Sequence, residues 1–361
     1  MKMKNVVVGA GFAGAIIARR IAEELDEEVL VVEKHNHIAG HAYDYYNEHG
    51  VLIHKYGPHI FHTNDRAVWD WLSRFTAWNE YQHRVLAYID GRYAPLPLSV
   101  ETVNEIFGLS LSTAEFPLWI EKNREPRSEI RTSEDVILNA VGRELYEKIF
   151  FNYTKKQWDR SPAELDASVT KRIPLRMNRD LRYFSDTYQG LPKVGYTELF
   201  RTILDHPRIH VLLNTPWESV EDSIQHGTLF YTGAIDRYFK YAKGKLEYRS
   251  VRFEYETLFD RPYFQAVGTV NYPNDYAYTR ITEFKYLTGQ KIAHTTIARE
   301  YSSEEGEPFY IVPGTSENPI LDAYRSEAEK RSDLRLIGRL AEYKYYNMDQ
   351  IAARALAYPL A

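Results

Sequence analysis

A glycine-rich turn near the N-terminus, between an apolar segment and a helix-forming one, constrains the fold more than any other feature. Residues 6–8 are three valines, which suit a strand buried on both faces. Gly9, Gly11 and Gly14 follow with G-x-G-x-x-G spacing. The first glycine permits a tight turn, the second lets the backbone approach a pyrophosphate, and the third allows close packing of the following helix. That helix, predicted over about 15–25, would point its positive N-terminus at the phosphates.

An acidic residue completes this pattern. A second strand is predicted over residues 28–33, and it ends at Glu33, about 20 residues beyond the glycines, where a carboxylate can bind a ribose hydroxyl. A glycine-rich turn without a ligand is the alternative. The order of strand, turn, helix, strand and acid favours a dinucleotide site.

Composition excludes several classes of function. The 361 residues, 44% of them hydrophobic, are enough for two or three domains. The net charge is −5 and no basic block is present, so nucleic-acid binding is not expected. The chain has no cysteine, which excludes disulfides and thiolate catalysis. No signal-peptide pattern or long apolar run is evident, so we expect a cytoplasmic protein without a membrane partner.

Further segments predict how the chain is organised. Local patterns indicate a hairpin over 43–53, a helix over 65–75 capped by Asn64, a helix over 132–151 opened by a capping box, strands within 246–298, and a return of strand and helix signals at 196–213, 228–233, 334–339 and 348–357. The predicted fold class is α/β, a discontinuous Rossmann-like dinucleotide-binding domain with a helical insertion and an antiparallel β-sheet insertion. The dinucleotide-binding domain would comprise 1–80, 192–240 and 305–361, the helical domain 99–165, and the sheet domain 81–98, 166–191 and 241–304.

The position of the fingerprint bears on which dinucleotide is bound. A fingerprint at the N-terminus with domain segments returning at the C-terminus favours FAD over a nicotinamide cofactor. A helix following Gly338 and Arg339 could place its positive end at the flavin pyrimidine edge and stabilise an anionic reduced ring. A plain Rossmann helix remains the alternative at this point.

Other residues suggest a substrate site. Tyr153 and Trp158 could stack on a base or pack a helix end. Arg176 and Arg280 lie in aromatic-rich segments, where they could clamp a diphosphate or pair with surface carboxylates. The paired histidines at 59 and 62 lie in a Gly-Pro loop without nearby carboxylates, so no metal site is expected.

Taken together, six motifs resemble the bacterial UDP-galactopyranose mutase family over nearly the full chain. They are residues 9–14 (GAGFAG), 56–62 (YGPHIFH), 152–158 (NYTKKQW), 182–190 (RYFSDTYQG), 278–283 (YTRITE) and 338–345 (GRLAEYKY). The resemblance implies an isomerase that interconverts UDP-galactopyranose and UDP-galactofuranose without net redox change. Reduced FAD would attack the anomeric carbon through N5. It also implies a cytoplasmic homodimer and a reductant such as NAD(P)H or a flavin reductase.

The resemblance also implies roles for individual residues. Catalytic roles fall to Arg176, Arg280 and His62. Substrate binding falls to Phe150, Tyr153, Thr154, Trp158, Tyr188, Asn271, Tyr310, Tyr345, Asn347 and His83. FAD binding falls to Gly9, Gly11, Phe12, Gly14, Glu33, Lys34, Gly40, His41, His59, Ile60, Trp217, Gly338, Arg339 and Met348.

Two positions depart from the common family pattern. Asn347 stands where many members carry an aspartate near the two arginines, and His83 stands where many carry an asparagine near the sugar. Both bear on the charge around the diphosphate and on the sugar accepted. Two rival functions remain at this point: an amine-oxidase-type flavin oxidoreductase, and a non-catalytic protein that binds flavin or a UDP-sugar.

Overall fold

The computed structural model describes residues 1–171, 175–312 and 318–360. Its strands, in chain order, are β1 (Lys2–Val8), β2 (Val29–Val32), β3 (Asp44–Tyr46), β4 (Leu52–His54), β5 (Phe61–Thr63), β6 (Trp78–Glu80), β7 (Val85–Ile89), β8 (Arg92–Leu96), β9 (Tyr188–Pro192), β10 (Ile209–Leu212), β11 (Gln225–Tyr231), β12 (Tyr248–Leu258), β13 (Thr269–Asn271), β14 (Arg280–Glu283), β15 (Thr295–Ser303), β16 (Tyr310–Ile311) and β17 (Leu334–Leu336).

The α-helices are α1 (Phe12–Glu24), α2 (Arg66–Ser73), α3 (Val100–Phe107), α4 (Phe116–Asn123), α5 (Ser133–Val141), α6 (Arg143–Leu145), α7 (Asn152–Trp158), α8 (Ser168–Lys171), α9 (Tyr196–Leu204), α10 (Ile235–Tyr238), α11 (Phe284–Thr288), α12 (Pro319–Glu329) and α13 (Met348–Leu356). A π-helix spans Tyr146–Phe151, and short 3-10 helices span Gly40–Ala42, Pro162–Glu164, Trp217–Ser219 and Glu221–Ser223. No helix in the described ranges is long and apolar enough to cross a membrane.

A five-stranded parallel sheet, in the order β10-β2-β1-β11-β17, forms the centre of the dinucleotide-binding region. Its strands are buried on both faces, because successive side chains alternate between two hydrophobic clusters. Val7 packs with residues of α1, α9 and α13, whereas Val6 packs with Trp217 and Tyr231 on the other face. This arrangement confirms the predicted α/β class.

A seven-stranded sheet, in the order β16-β12-β15-β14-β13-β7-β8, supports the substrate side of the molecule. We expected an antiparallel sheet, but β7 and β13 run parallel. The two strands lie far apart in the chain, so no tight turn dictates their relative direction. Two small sheets, β3-β4 and β5-β9-β6, complete the strand pairing. The proposed domain boundaries stay predictions, and two of their segments, 166–191 and 305–361, include residues outside the described ranges.

The helical region differs from the single helix predicted over 132–151. The predicted capping box is present, since Thr132 and Asp135 bond to each other's backbone N–H groups. However, α5 ends at Val141. The next residue, Gly142, has φ +83, and an added Cβ there would lie 1.9 Å from the Asn123 carbonyl oxygen. The chain then re-enters helix as α6 and the π-helix. This break allows two helical segments to pack separately.

The helix predicted at 65–75 begins one residue later than expected. Asp65 caps α2, because its side chain accepts hydrogen bonds from Ala67 and Val68 N–H. Asn64, the residue we expected to cap it, instead donates to Asp186 at 2.8 Å. The helix start was therefore shifted by a tertiary contact that the local sequence does not reveal.

Candidate active site

The glycine turn forms the inner end of one cavity. Gly9 has φ +103, and an added Cβ there would lie 2.1 Å from Thr232 Oγ1. An added Cβ on Gly14 would lie 1.9 Å from the Gly9 carbonyl oxygen. Both positions therefore require glycine, and the turn delivers the chain directly into the N-terminus of α1.

Glu33 lies at the end of β2, as the fingerprint predicts. Its carboxylate is 4% exposed and accepts hydrogen bonds from Ala10 N–H at 2.8 Å and His35 N–H at 2.9 Å. Burial opposes ionisation, but the bonds from His35 and Ala10 outweigh it and hold the pKa of Glu33 below its usual value. An ionised carboxylate at this position is suited to a ribose hydroxyl.

Four charged side chains form a group that we call the outer ion cluster. They are Glu33, Lys34, His35 and Glu307. The two ring nitrogens of His35 lie 2.9 Å from Glu33 and 2.9 Å from Glu307. Lys34 Nζ donates to Glu307 at 2.9 Å. Burial disfavours the His35 cation, but Glu307 and Glu33 outweigh it and raise the pKa of His35 to about 9. The cluster thus ties the segment before β16 to the end of β2.

The structure brings most of the proposed cofactor residues to this cavity. Its lining includes Gly9, Gly11, Phe12, Glu33, Lys34, Gly40, His41, His59, Trp217, Gly338, Arg339 and Met348. Gly14 instead packs against the turn, and Ile60 lines the neighbouring cavity. Lining residues that the sequence did not identify include Thr232 and Arg237.

The form of this cavity fits an extended dinucleotide. An added Cβ on Gly40 would lie 3.0 Å from Gly11 Cα, so two backbone segments approach closely at its floor. His41 stacks on Phe309 with centroids 4.5 Å apart, and burial lowers the pKa of His41 to about 3. The wall beside the glycine turn is therefore uncharged at neutral pH, as suits an aromatic ring system.

A second cavity, of about 470 Å³, adjoins the first. Both cavities are lined by His59, Arg339, Asn347 and Met348, so they meet at the N-terminus of α13. The proposed substrate and catalytic residues that line the second cavity are His62, His83, Phe150, Tyr153, Thr154, Trp158, Asn271, Arg280, Tyr310, Tyr345 and Asn347. We refer to the two as the cofactor cavity and the substrate cavity.

Arg280 supplies positive charge to the substrate cavity. Its register partner on β13 is Asn271, so both side chains extend from the same face of the sheet. The guanidinium bonds Glu300 twice, at 2.7 Å through Nε and 2.7 Å through Nη2. Glu300 is itself buried. Within the described ranges Nη1 has no hydrogen-bond partner, which leaves it available to an anionic ligand.

An aromatic row leads from Arg339 to the proposed base site. Tyr310 and Tyr345 stack with centroids 6.2 Å apart, and the Arg339 guanidinium lies 5.2 Å and 5.5 Å from their respective rings. Trp158 meets Tyr310 edge-on at 6.4 Å. Trp158 is nearly fully buried and also packs with Leu165, so the indole both lines the cavity and supports the helix end.

His62 lies on β5 beside two carboxylates. Its Nδ1 is 2.9 Å from Asp186 Oδ2, and its ring stacks on Phe184 with centroids 3.7 Å apart. Asp349, in the first turn of α13, also lines this part of the cavity, and burial raises the pKa of its carboxyl. The sequence did not identify either aspartate, because the motifs place them far from His62 along the chain.

Two proposed residues lie outside the substrate cavity. Arg176 donates to Asp180 at 3.3 Å and to the Tyr183 carbonyl at 3.4 Å. Tyr188 lies on β9 and stacks on Trp69 with centroids 5.3 Å apart. The cavity is lined instead by Tyr183 and Phe184, from the same motif. The aromatic pair preceding Tyr188 was the available signal for them.

Two family models match the chain. The model described as UDP-galactopyranose mutase matches residues 148–345. The model described as NAD(P)-binding Rossmann-like domain matches residues 7–75. The first begins within the π-helix and includes the arginines and tyrosines that line the substrate cavity, and the second includes the glycine turn and the residues following it.

The chain is also similar to individual proteins over nearly its full length. A probable UDP-galactopyranose mutase of Klebsiella pneumoniae is 37% identical, covering 99% of this chain and 94% of the relative. A dTDP-fucopyranose mutase of Escherichia coli is 36% identical, covering 98% and 96%. Among solved structures, a reduced UDP-galactopyranose mutase has a TM-score of 0.75 at 16% identity, covering 98% of this chain and 94% of that one. The structural likeness supports the fold.

Proposed function

Because this chain belongs to the UDP-galactopyranose mutase family, we propose that it interconverts UDP-galactopyranose and UDP-galactofuranose. The family relationship makes the chain an isomerase with a flavin-type dinucleotide fold. The main support is that the cofactor cavity and the substrate cavity meet at the N-terminus of α13. The substrate cavity contains the Arg280 guanidinium and the aromatic row. This arrangement suits a nucleotide sugar held beside a flavin.

The charge of the substrate cavity separates this proposal from an amine-oxidase-type reaction. An amine substrate is protonated or in equilibrium with its cation, and Arg280 and Arg339 would repel that positive charge. Two guanidiniums and the hydroxyls of Tyr153 and Tyr310 instead suit a diphosphate. The anionic group would also balance the charge of Arg339, which lies over two tyrosine rings without a carboxylate partner in the described ranges.

We propose FAD as the flavin. Glu33 would bind the adenosine ribose, the Gly9–Gly14 turn the pyrophosphate, and the N-terminus of α13 the pyrimidine edge of the ring system. When bound and reduced, the flavin supplies N5 as the nucleophile toward the anomeric carbon of the sugar. The remaining tasks fall to the residues of this chain.

Those tasks are retention and orientation of the leaving UDP. The Nη1 group of Arg280 and the hydroxyl of Tyr310 would hold the diphosphate, while Trp158 and Tyr153 hold the base. UDP must stay bound because it returns as the nucleophile at the end of the reaction. Arg176 would join this set only after leaving Asp180.

His62 would act beside the flavin. The hydrogen bond to Asp186 fixes the ring orientation and favours a proton on Nδ1. Asn64 in turn donates to the other Asp186 oxygen, so the carboxylate is held on both sides. His62 could then take or return a proton of the sugar through its second nitrogen.

Further parts of the proposal concern the cell. We propose a homodimer in the cytoplasm, reduced by NAD(P)H or a flavin reductase, that supplies galactofuranose for later transfer reactions. These features rest on the resemblance of the motifs and not on contacts within the chain.

A dTDP-fucopyranose mutase activity is the second candidate. The Escherichia coli relative with that name is 36% identical, close to the 37% of the UDP-galactopyranose mutase relative. Both reactions need the same flavin and the same diphosphate site. The substrates differ in the base, in the 2′-hydroxyl of the nucleoside and in the C6 substituent of the hexose.

The test is direct incubation with each nucleotide sugar. Protein loaded with FAD and reduced with dithionite should convert UDP-galactofuranose to UDP-galactopyranose, read by chromatography, whereas the oxidised protein should not. A higher kcat/KM for dTDP-fucofuranose than for UDP-galactofuranose would identify the dTDP sugar as the preferred substrate. The proposed type of reaction would be unchanged. Conversion of neither sugar by protein with full flavin content would contradict the proposal.

A further inference from the structure

His83 is one of the most enclosed polar side chains of the substrate cavity. It is 4% exposed and lies two residues before Val85, the first residue of β7. Its carbonyl accepts a hydrogen bond from Tyr183 N–H at 2.7 Å. Its ring meets Tyr183 edge-on at 5.8 Å and lies 6.2 Å from Phe184. The imidazole is therefore fixed by backbone and ring contacts.

One ring nitrogen of His83 is already engaged. Nδ1 lies 3.0 Å from the hydroxyl of Tyr81. No described residue forms a hydrogen bond with Nε2, and His83 lines the substrate cavity. Nε2 is thus the nitrogen left for a ligand.

The protonation of the ring follows from its surroundings. Burial, together with the charges of Arg280 and His62, lowers the pKa of His83 to about 3, so the ring is neutral in the working range. Burial also raises the pKa of the Tyr81 hydroxyl, which keeps its proton. If Tyr81 donates to Nδ1, the single imidazole proton lies on Nε2. The opposite arrangement would leave the phenolic proton without an acceptor among the described residues.

We infer that Tyr81 and His83 form a specificity pair, in which His83 Nε2–H donates to a hydroxyl of the bound hexose and Tyr81 fixes the tautomer. This inference rests on the proposed function and names the part of the sugar that the site reads. His83 contacts the substrate, and Tyr81 is a positioning residue. The polar neighbours on the same sheet face, Asn271 and Thr269, are also buried and line the cavity.

The consequence is discrimination against deoxy sugars. A buried N–H that loses its acceptor is left unsatisfied, which penalises an analogue lacking the hydroxyl much more than an apolar pocket would. The substituent at C6 is the first to examine, since fucose is 6-deoxygalactose. The C2 and C3 hydroxyls are the other candidates that keep their places during the ring exchange.

The experiment compares specificity ratios in four proteins. Wild type, His83→Leu, His83→Asn and Tyr81→Phe, each reduced and flavin-loaded, are assayed with UDP-galactose and its 2-deoxy, 3-deoxy and 6-deoxy analogues. We expect wild type to prefer UDP-galactose to one analogue by about tenfold or more. His83→Leu should bring that ratio close to one, whereas His83→Asn, which keeps an N–H donor, should retain most of it.

Tyr81→Phe tests whether Tyr81 fixes the tautomer of His83 or only packs against it. It should lower the ratio severalfold, and the imidazole ¹⁵N shifts of His83 should move toward a mixture of tautomers. Flavin content and the unfolding midpoint show whether each variant is folded, and His83→Phe serves if His83→Leu is not. Unchanged ratios for all three analogues in His83→Leu, or in His83→Phe where that variant replaces it, would overturn the inference, as would no discrimination by wild type. Failure of wild type to convert any nucleotide sugar would instead contradict the proposed function.

Discussion

The cofactor cavity and the substrate cavity are built in different ways. The floor of the cofactor cavity is backbone, formed by the glycine turn and the close approach of Gly11 and Gly40. The substrate cavity is formed by side chains from the π-helix, α7, the seven-stranded sheet and the segment 183–186. A site made of backbone tolerates few substitutions, whereas one made of side chains can change its ligand by exchange of single residues.

The two cavities also hold charge differently. The cofactor cavity is lined by residues of the outer ion cluster and also by Glu218, Arg237 and Arg339. The buried rings of His41 and His59 are neutral, because burial lowers the pKa of each to about 3. In the substrate cavity Arg280 is charged at the centre and balanced by buried Glu300. The first site therefore presents neutral rings beside its backbone floor, whereas the second presents a paired charge.

The largest expected effect concerns the backbone site. Gly14→Ala would place a Cβ 1.9 Å from the Gly9 carbonyl oxygen, so the turn and α1 must separate. We expect a loss of about 3 kcal/mol of unfolding free energy and loss of flavin. Urea unfolding and the flavin absorbance after gel filtration measure both.

Gly11→Ala is the matched control, because its Cβ would be no closer than 3.6 Å to other atoms. It should fold normally and lose only flavin affinity. Equal stability of both variants would remove the distinction between close packing at Gly14 and ligand approach at Gly11.

The next effect concerns the paired charge. Arg280→Ala should lower kcat/KM by about a thousandfold, since it removes the diphosphate contact and leaves Glu300 buried without its partner, a loss on the order of 4 kcal/mol. Arg176→Ala should cost about tenfold, because Arg176 must first give up Asp180. Steady-state kinetics on reduced, flavin-loaded proteins give both values. An equally large loss in both variants would mean that Arg176 reaches the diphosphate during turnover.

The same contrast explains what could be predicted from the sequence. The glycine turn, β2 and Glu33 are adjacent in the chain, and their spacing is set by backbone geometry, so local patterns were sufficient. The outer ion cluster was not predicted, because Glu307 reaches His35 only through the fold.

The residues of the substrate cavity show more clearly what local sequence patterns cannot predict. Arg280 and Asn271 share a sheet face through strand pairing, which no local pattern reveals. Tyr188 and Tyr183 lie in one motif, and only the pairing of β9 with β5 decides that Tyr188 faces Trp69. The break at Gly142 was missed because the apolar periodicity continues across it, while the contact that requires glycine is with Asn123.

A smaller effect is expected where the cavities meet. Asn347 lines both cavities, and its backbone N–H donates to Gln350 Oε1 at the start of α13. Asn347→Asp preserves a good helix N-cap but adds a negative charge near the proposed diphosphate. Contact-range charges interact by on the order of 4 kcal/mol at an effective dielectric of 20, before compensation by Arg280 and Arg339.

We expect the UDP dissociation constant of reduced Asn347→Asp to rise severalfold, with activity retained. Isothermal titration with UDP provides the measurement, and Asn347→Ser, which caps without charge, is the control. Unchanged or tighter UDP binding in Asn347→Asp would place this side chain outside the field of the phosphates.

The smallest effect concerns the outer ion cluster. The pKa of His35 is raised from 6.5 to about 9, so its stabilising contribution is fully present below pH 6.5 and is lost as the pH rises through 9. The pKa of Glu307 is lowered, so the stabilising contribution of its carboxylate is lost only in acid. Flavin release from wild type should therefore be faster at pH 10 than at pH 7, by about fivefold for a partly exposed pair worth ~1 kcal/mol. Glu307→Gln should release flavin faster at pH 7 and show little further change at pH 10. Glu305→Gln, an exposed neighbour, should behave as wild type. Flavin fluorescence after dilution reports the rate, and a pH dependence that survives in Glu307→Gln would show that another group controls flavin release.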